Sequence, residues 1–146
     1  PWLGRSVVDL GSGAGFPGLV VAIMTGKPVT LVESDQRKCA FLREAARITG
    51  AAVQIIAARI ESVAGLKADT VTARALAPLD RLAAWAAPIV APYGDAEGRA
   101  VFLKGQNVEG EAETLSKMWD FDIELYPSIT DSAGQIVVLR RLRRHP

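Results

Sequence analysis

An alternation constrains this chain more than any other feature. Along its 146 residues, short apolar runs rich in β-branched residues are separated by segments of helical periodicity, with no internal repeat or low-complexity linker between them. Runs that each return through a helix build a parallel sheet covered by helices on both faces. Strands are expected near Ser6–Leu10, Val29–Glu33, Val53–Ala57, Thr70–Ala73, Ala100–Leu103, Ile123–Tyr126 and Gln135–Leu142, with helices near Pro17–Met24, Asp35–Thr49, Leu79–Val90 and Val108–Trp119. In the second helix Phe41, Ala45 and Ile48 recur at helical spacing and mark an apolar face, while Asp35 is placed as its N-cap and Gly50 as its C-terminal cap. Pro88 implies an early end or kink in the third. The connection from Thr130 to Gly134 is too short for a crossover helix, so the last two strands should pair antiparallel. The expected fold is a Rossmann-like α/β domain: a mostly parallel seven-stranded sheet with a C-terminal antiparallel hairpin, which an ordinary dehydrogenase domain lacks.

Composition narrows the class. The length suits one domain over residues 1–146, and 49% hydrophobic content supports a sizeable core. No run of about 18 apolar residues is present, so no membrane span is expected. Cys39 is the one cysteine, which excludes an intrachain disulfide and a cysteine zinc cluster; no metal site is expected. The net charge of +1 averages a basic end (Arg140, Arg141, Arg143, Arg144, His145) with a more acidic stretch between Asp95 and Glu124. Such a terminal basic run is ordinarily solvated and by itself says little about nucleic acid. A soluble, cytoplasmic monomer is the expectation, and the start without Met, entering a strand almost at once, reads as a truncated chain.

The chemistry begins at Asp9-Leu10-Gly11-Ser12-Gly13-Ala14-Gly15, which follows the first strand, with Pro17 opening a helix. Glycines are needed there because the backbone must turn tightly and let a ligand approach without a Cβ in the way. The dinucleotide fingerprint G-x-G-x-x-G is not met: Phe16 stands where its last glycine would be, and the third glycine falls at Gly15. A carboxylate two residues before Gly11 is out of place beside a pyrophosphate. It suits the ammonium of the methionine part of S-adenosylmethionine, reached through water; the bland alternative has Asp9 bonding nearby loop amides. Glu33 closes the second strand about 20 residues beyond the glycines, where an acidic residue grips a ribose diol.

With these pieces in place, the residues resemble one family, the bacterial small-subunit ribosomal RNA guanine-N7 methyltransferases, also called glucose-inhibited division protein B. The resemblance covers nearly the whole chain. It rests on the stretch from Asp9 to Gly18, on Glu33 to Leu42, on Ala58-Arg59-Ile60-Glu61, on Ala73-Arg74-Ala75 and on Leu103-Lys104-Gly105-Gln106. It implies the class I S-adenosylmethionine-dependent methyltransferase fold, with that cofactor held by Gly11 and Phe16, by Ile60 and Glu61 against the adenine, and by Arg74, alongside Asp9, Gly13, Gly15 and Glu33 of the loop reading. Arg59, Arg74 and Lys104 match positively charged family positions around the active-site mouth, where RNA would bind. The partner implied is small-subunit ribosomal RNA or the ribosomal subunit. The family's N-terminal helical segment is missing here.

Read from the residues alone, the later positions stay open. Glu61 is equally an early helix residue favoured by the helix dipole. Arg74 at a strand exit should escape to the sheet rim, where open parallel sheets bind ligands, and Lys104 is either a phosphate contact or a solvated lysine. Guanine N7 has a free lone pair and no hydrogen, so no general base and no catalytic side chain are expected. His145 lies in the tail, Cys39 reads as buried, and Trp85 and Trp119 read as packed residues on helix faces. Two other functions remain: a class I methyltransferase acting on a small molecule or protein, or a non-catalytic nucleotide- or RNA-binding module. An Asn-Pro-Pro-Tyr motif after the fourth strand would favour an exocyclic amino-group substrate, but Ala73-Arg74-Ala75-Leu76 stands there.

Overall fold

A computed structural model describes residues 3–74, 77–92, 97–105, 107–129 and 134–146. Its strands are β1 (Val7–Leu10), β2 (Val29–Glu33), β3 (Val53–Ala57), β4 (Thr70–Arg74), β5 (Arg99–Lys104), β6 (Trp119–Pro127) and β7 (Gln135–Arg144). Its helices are α1 (Gly18–Thr25), α2 (Gln36–Thr49), α3 (Leu79–Ala86) and α4 (Val108–Ser116), with a 3₁₀ turn at Ile60–Ser62. Ala75 and Gln106 of the motifs above, and residues 130–133 of the last connection, lie outside the described residues.

The strands form one sheet in the order β3-β2-β1-β4-β5-β7-β6. β1 pairs parallel with β2 and β4, β2 with β3, and β4 with β5, whereas β7 pairs antiparallel with β5 and β6. The chain winds outward from β1 to β3 and then returns to β4 on the other side. That reversal leaves a crevice beyond the carboxyl ends of β1 and β4, where ligands bind in open α/β sheets.

Side-chain alternation along β1 divides the core. Val8 and Leu10 join the cluster that holds Leu79, Leu82 and Ala86 of α3 with Val108 and Leu115 of α4, while Val7 joins Leu19 and Ala22 of α1 and Leu42 of α2. Asp9 therefore lies on the α1 side, and there the register sets it beside Thr72.

Two sequence expectations need correction. α4 stops at Ser116, and Trp119, expected on a helix, is the first residue of β6; its indole is buried all the same. The buried face of α2 is Cys39 and Leu42, not Phe41 and Ile48, which are 53% and 69% exposed. Two apolar stripes run along this helix, and periodicity does not choose between them. The helix phase is set at its start, where Asp35 Oδ1 accepts from the Arg37 and Lys38 amides at 2.8 and 3.1 Å. The Cys39 thiol then donates to Glu33 O at 3.2 Å, and Leu42 enters the core.

Along the amino-terminal edge of the sheet, before the central strands, the buried Asp69 carboxylate accepts from the amides of Arg5 (2.6 Å) and Ser6 (3.2 Å) and from the Thr70 hydroxyl (3.1 Å), tying the entry to β1 onto β4. Hydrogen bonds to a charged acceptor are worth about 1.5–3 kcal/mol each, and unpaired buried donors cost as much. Asp69→Ala is expected to lower stability by about 3 kcal/mol in urea unfolding. A loss under about 0.5 kcal/mol, the range of an ordinary surface change, would show that this network does not hold the edge.

Candidate functional site

What the loop's amides do defines the site. Beyond Leu10 the chain folds over the end of β2: the Gly11 and Ser12 amides donate to Val32 O at 2.8 and 3.1 Å, the Gly13 amide to Glu33 Oε1 at 2.7 Å, and the Gly15 amide to Ser12 O at 2.8 Å. The turn holds Gly13 at φ 55° and Gly15 at φ 99°, where a Cβ is strained. At Gly15 that Cβ would press on Leu19 at 2.8 Å, so this glycine seats the loop on α1. At Gly13 the nearest atom, Gly11 O, is 3.9 Å away, so a side chain would point into open space. The first amides of α1 are used too, Leu19 and Val20 donating to Gly15 O and Val21 to Pro17 O. A pyrophosphate binds through amides of this kind, and each one named here already has a protein acceptor.

Beside the loop lies a cavity of about 440 Å³, lined by Gly11, Gly13, Val32, Glu33, Ser34, Lys38, Ala58, Arg59, Ile60, Glu61, Arg74 and Trp85. That volume is in the range of small-molecule sites. β2 delivers Glu33, the turn after β3 delivers Arg59, Ile60 and Glu61, and β4 delivers Arg74. Sequence reasoning missed Trp85, which packs on the core and also faces the cavity from α3. The one available signal was Arg81 four residues earlier, whose guanidinium sits 5.6 Å from the Trp85 ring centroid.

The carboxylates are placed differently. Glu33 is buried, with Oε1 on the Gly13 amide and Oε2 on the Asp35 amide at 2.9 Å. A carboxylate has about four acceptor sites, so this one is fixed in orientation and can still accept from a ligand diol. Asp9 lies behind the loop and does not line the cavity. Its Oδ1 accepts from the Thr72 hydroxyl at 2.6 Å, and Oδ2 has no partner of hydrogen-bond geometry, although the Gly18 amide lies beside it. Burial pushes the Asp9 carboxyl up to about 6 against the pull of the Thr72 hydroxyl. At neutral pH the group is ionised and under-compensated, a state that a nearby cation relieves.

Phe16 is 51% exposed outside the cavity, and the Arg74 guanidinium sits 6.0 Å from its ring centroid. Arg59 and Arg74 are exposed on the cavity wall and belong to no ion pair among the described residues. Lys104 is a correction. Its ammonium is within 3.0 Å of Glu111 Oε1 and donates to Ala77 O at 2.8 Å, the two side chains being 8% and 19% exposed. Glu111 Oε1 also accepts the Leu79 amide at 2.9 Å. Lys104 thus fastens β5 and α4 to the start of α3, and its charge is not presented to a phosphate.

The rRNA small subunit methyltransferase G (GidB) family model matches residues 3–137. The chain belongs to this family. Among relatives named ribosomal RNA small subunit methyltransferase G, it is 54% identical over 140 residues to the protein of Paramagnetospirillum magneticum, covering 96% of this chain and 66% of that one. It is 50% identical over 141 residues to that of Gluconobacter oxydans, covering 97% and 71%. The chain thus spans about two thirds of the length of these methyltransferase G relatives. Its fold is that of class I methyltransferases: a solved S-adenosylmethionine-dependent methyltransferase from Methanosarcina mazei superposes with a TM-score of 0.70 at 15% identity, over 97% of this chain and 95% of that one.

Two outcomes are expected of this domain. Because folded Asp9 keeps its proton to about 6 and an unfolded aspartate only to about 3.9, the folded state binds more protons between these values. Stability therefore declines as pH rises through that window, by up to about 3 kcal/mol. Urea unfolding at pH 4 and 7 should show the wild type losing this increment relative to Asp9→Asn; a constant difference would mean that Asp9 ionises normally. Lys104→Met leaves the half-buried Glu111 without its cation and should cost about 1–3 kcal/mol, while the salt dependence of RNA binding stays unchanged. A lowered salt slope with unchanged stability would restore Lys104 to the RNA surface.

Proposed function

We propose that this domain binds S-adenosylmethionine and methylates guanine N7 in small-subunit ribosomal RNA. The carrying observation is the loop itself: the amides of Gly11, Ser12, Gly13 and Gly15 are bonded within the protein, with the Asp9 carboxylate behind the loop and those of Glu33 and Glu61 on the cavity wall. Such a site disfavours a phosphate and favours a cationic ligand. When bound, the cofactor supplies an electrophilic methyl group on a positively charged sulfur.

Each residue has work that fits this reading. Glu33, oriented by two backbone amides, accepts the ribose hydroxyls. Ile60 offers an apolar surface to the adenine, and Glu61 an acceptor for its amino group. Asp9 compensates the ammonium through water. Guanine N7 attacks without losing a proton, so the protein has only to hold nucleophile, methyl and sulfur in line, and positioning can supply roughly 7–11 kcal/mol of barrier reduction in favourable cases. No His or Cys lines the cavity, and none is needed. N7 faces the deep major groove of an RNA helix, which side chains reach poorly, so an unpaired or distorted guanine is the substrate form. Arg59 and Arg74 meet its phosphates from the cavity wall. No helix among the described residues is long and apolar enough to cross a membrane, and a ribosomal substrate supports a reaction in the cytoplasm.

The test is to incubate the intact protein with methyl-labelled cofactor and separated ribosomal RNAs. Label is expected at a guanine N7 of the small-subunit RNA, and not with Gly13→Val, whose side chain would fill the cofactor's path. Label confined to protein or small molecules, or a folded Gly13→Val variant of wild-type activity, would overturn the reading. Arg59→Ala should lower the log–log salt slope of RNA binding by roughly 0.7–0.9 with cofactor affinity unchanged; an unchanged slope would return Arg59 to the solvated surface.

A further inference from the structure

α3 has a second wall. Arg81 lies over Trp85 one helical turn away, but whereas Trp85 faces the cofactor cavity, Arg81 lines a separate groove of about 530 Å³ between α3, the end of α4 and the start of β6. Lys117, Met118, Trp119 and Arg144 complete its character, with Asp80 as the carboxylate on its wall. The Arg144 guanidinium sits 5.8 Å from the Trp119 ring centroid. Arg81, Lys117 and Arg144 belong to no ion pair among the described residues, in contrast to Arg140 and Arg141 on the same strand as Arg144, which pair with Glu124, Glu97 and Asp122.

We propose that this groove is a second RNA-contact surface of the enzyme, holding the strand that flanks the target guanine. The proposal rests on the RNA-methylating function above. Three cations with no ion pair among the described residues, against the Asp80 carboxylate, attract a polyanion, and the attraction is strongest where cations are not already neutralised. Guanidinium planes held on indole rings are pre-oriented, and their outer faces offer stacking surfaces to unpaired bases. The groove is linked to the cavity by the Arg81–Trp85 pair, Trp85 lining one and Arg81 the other, so a strand leaving the cavity over α3 can reach the groove. Among these wall residues Met118 is the exposed large apolar side chain, which favours a charged strand over a protein surface as the occupant.

The experiment is binding and steady-state kinetics of the intact protein with naked small-subunit ribosomal RNA and with assembled subunits, comparing wild type with the Lys117→Ala/Arg144→Ala double variant. The expected result is a log–log salt slope lower by roughly 0.7–0.9 per lost contact and a raised KM for RNA. Cofactor affinity and kcat should be unchanged, and Lys117→Arg should keep the slope. An active wild type with an unchanged slope and KM in the double variant would overturn the proposal. Weakened binding to assembled subunits alone would overturn it too, because a ribosomal protein would then be the occupant. A wild type that binds the cofactor but methylates no RNA would overturn the functional reading itself, and the groove's role with it.

Discussion

The Glu33 carboxylate and the Gly13 amide, 2.7 Å apart, join the two halves of this site. A tight glycine turn at the end of a parallel strand exposes several amides at once, and buried amides must be paired. Here they are paired by the end of β2: Val32 O takes two and Glu33 takes a third. The loop is thereby shaped by its own chain, and the carboxylate that shapes it is fixed in orientation on the cavity wall. Asp35 extends the arrangement, giving its amide to Glu33 and its side chain to the first turn of α2.

From that bond the selectivity follows. A dinucleotide site keeps its loop amides and helix N-terminus for phosphate oxygens. Here the Gly11, Ser12, Gly13 and Gly15 amides are bonded inward, Glu33 and Glu61 line the cavity, and Asp9 behind the loop is held ionised at neutral pH at a cost in stability. The cost is a property of the folded protein alone. On the proposed function a cation near Asp9 offsets it, which favours a sulfonium amino acid over a nicotinamide dinucleotide.

Most of the framework was legible in the sequence because it depends on short-range rules. Strand runs, Asp35 and Gly50 at the ends of α2, and the short link before β7 each carry local signals, and the order of elements then fixes which strand ends meet. Seven of the expected site residues line the cavity for that reason. What was not legible depends on helix phase and on partners distant in sequence. Phe41 and Ile48 read as a core stripe, but Asp35 and Cys39 set the rotation of α2 otherwise. Lys104 read as an exposed cation because its partners, Glu111 and Ala77 O, are supplied by elements that only the folded sheet brings near. The pairing of Asp69 with residues 5 and 6 leaves no local pattern at all, and the cavity-facing placement of Trp85 leaves only Arg81 one turn earlier.

The central claim is that a loop whose Gly11, Ser12, Gly13 and Gly15 amides are already bonded, with Glu33 and Glu61 on the cavity wall, selects a cation-bearing cofactor. Isothermal titration of the intact protein with S-adenosylmethionine and, separately, with NAD at pH 7.5, each repeated with Glu33→Gln, tests it most directly. The expected result is saturable S-adenosylmethionine binding that Glu33→Gln weakens by at least about tenfold, a loss of about 1.4 kcal/mol, with no measurable NAD binding. NAD binding as tight as that of S-adenosylmethionine, or an affinity for the latter that is indifferent to Glu33, would contradict it.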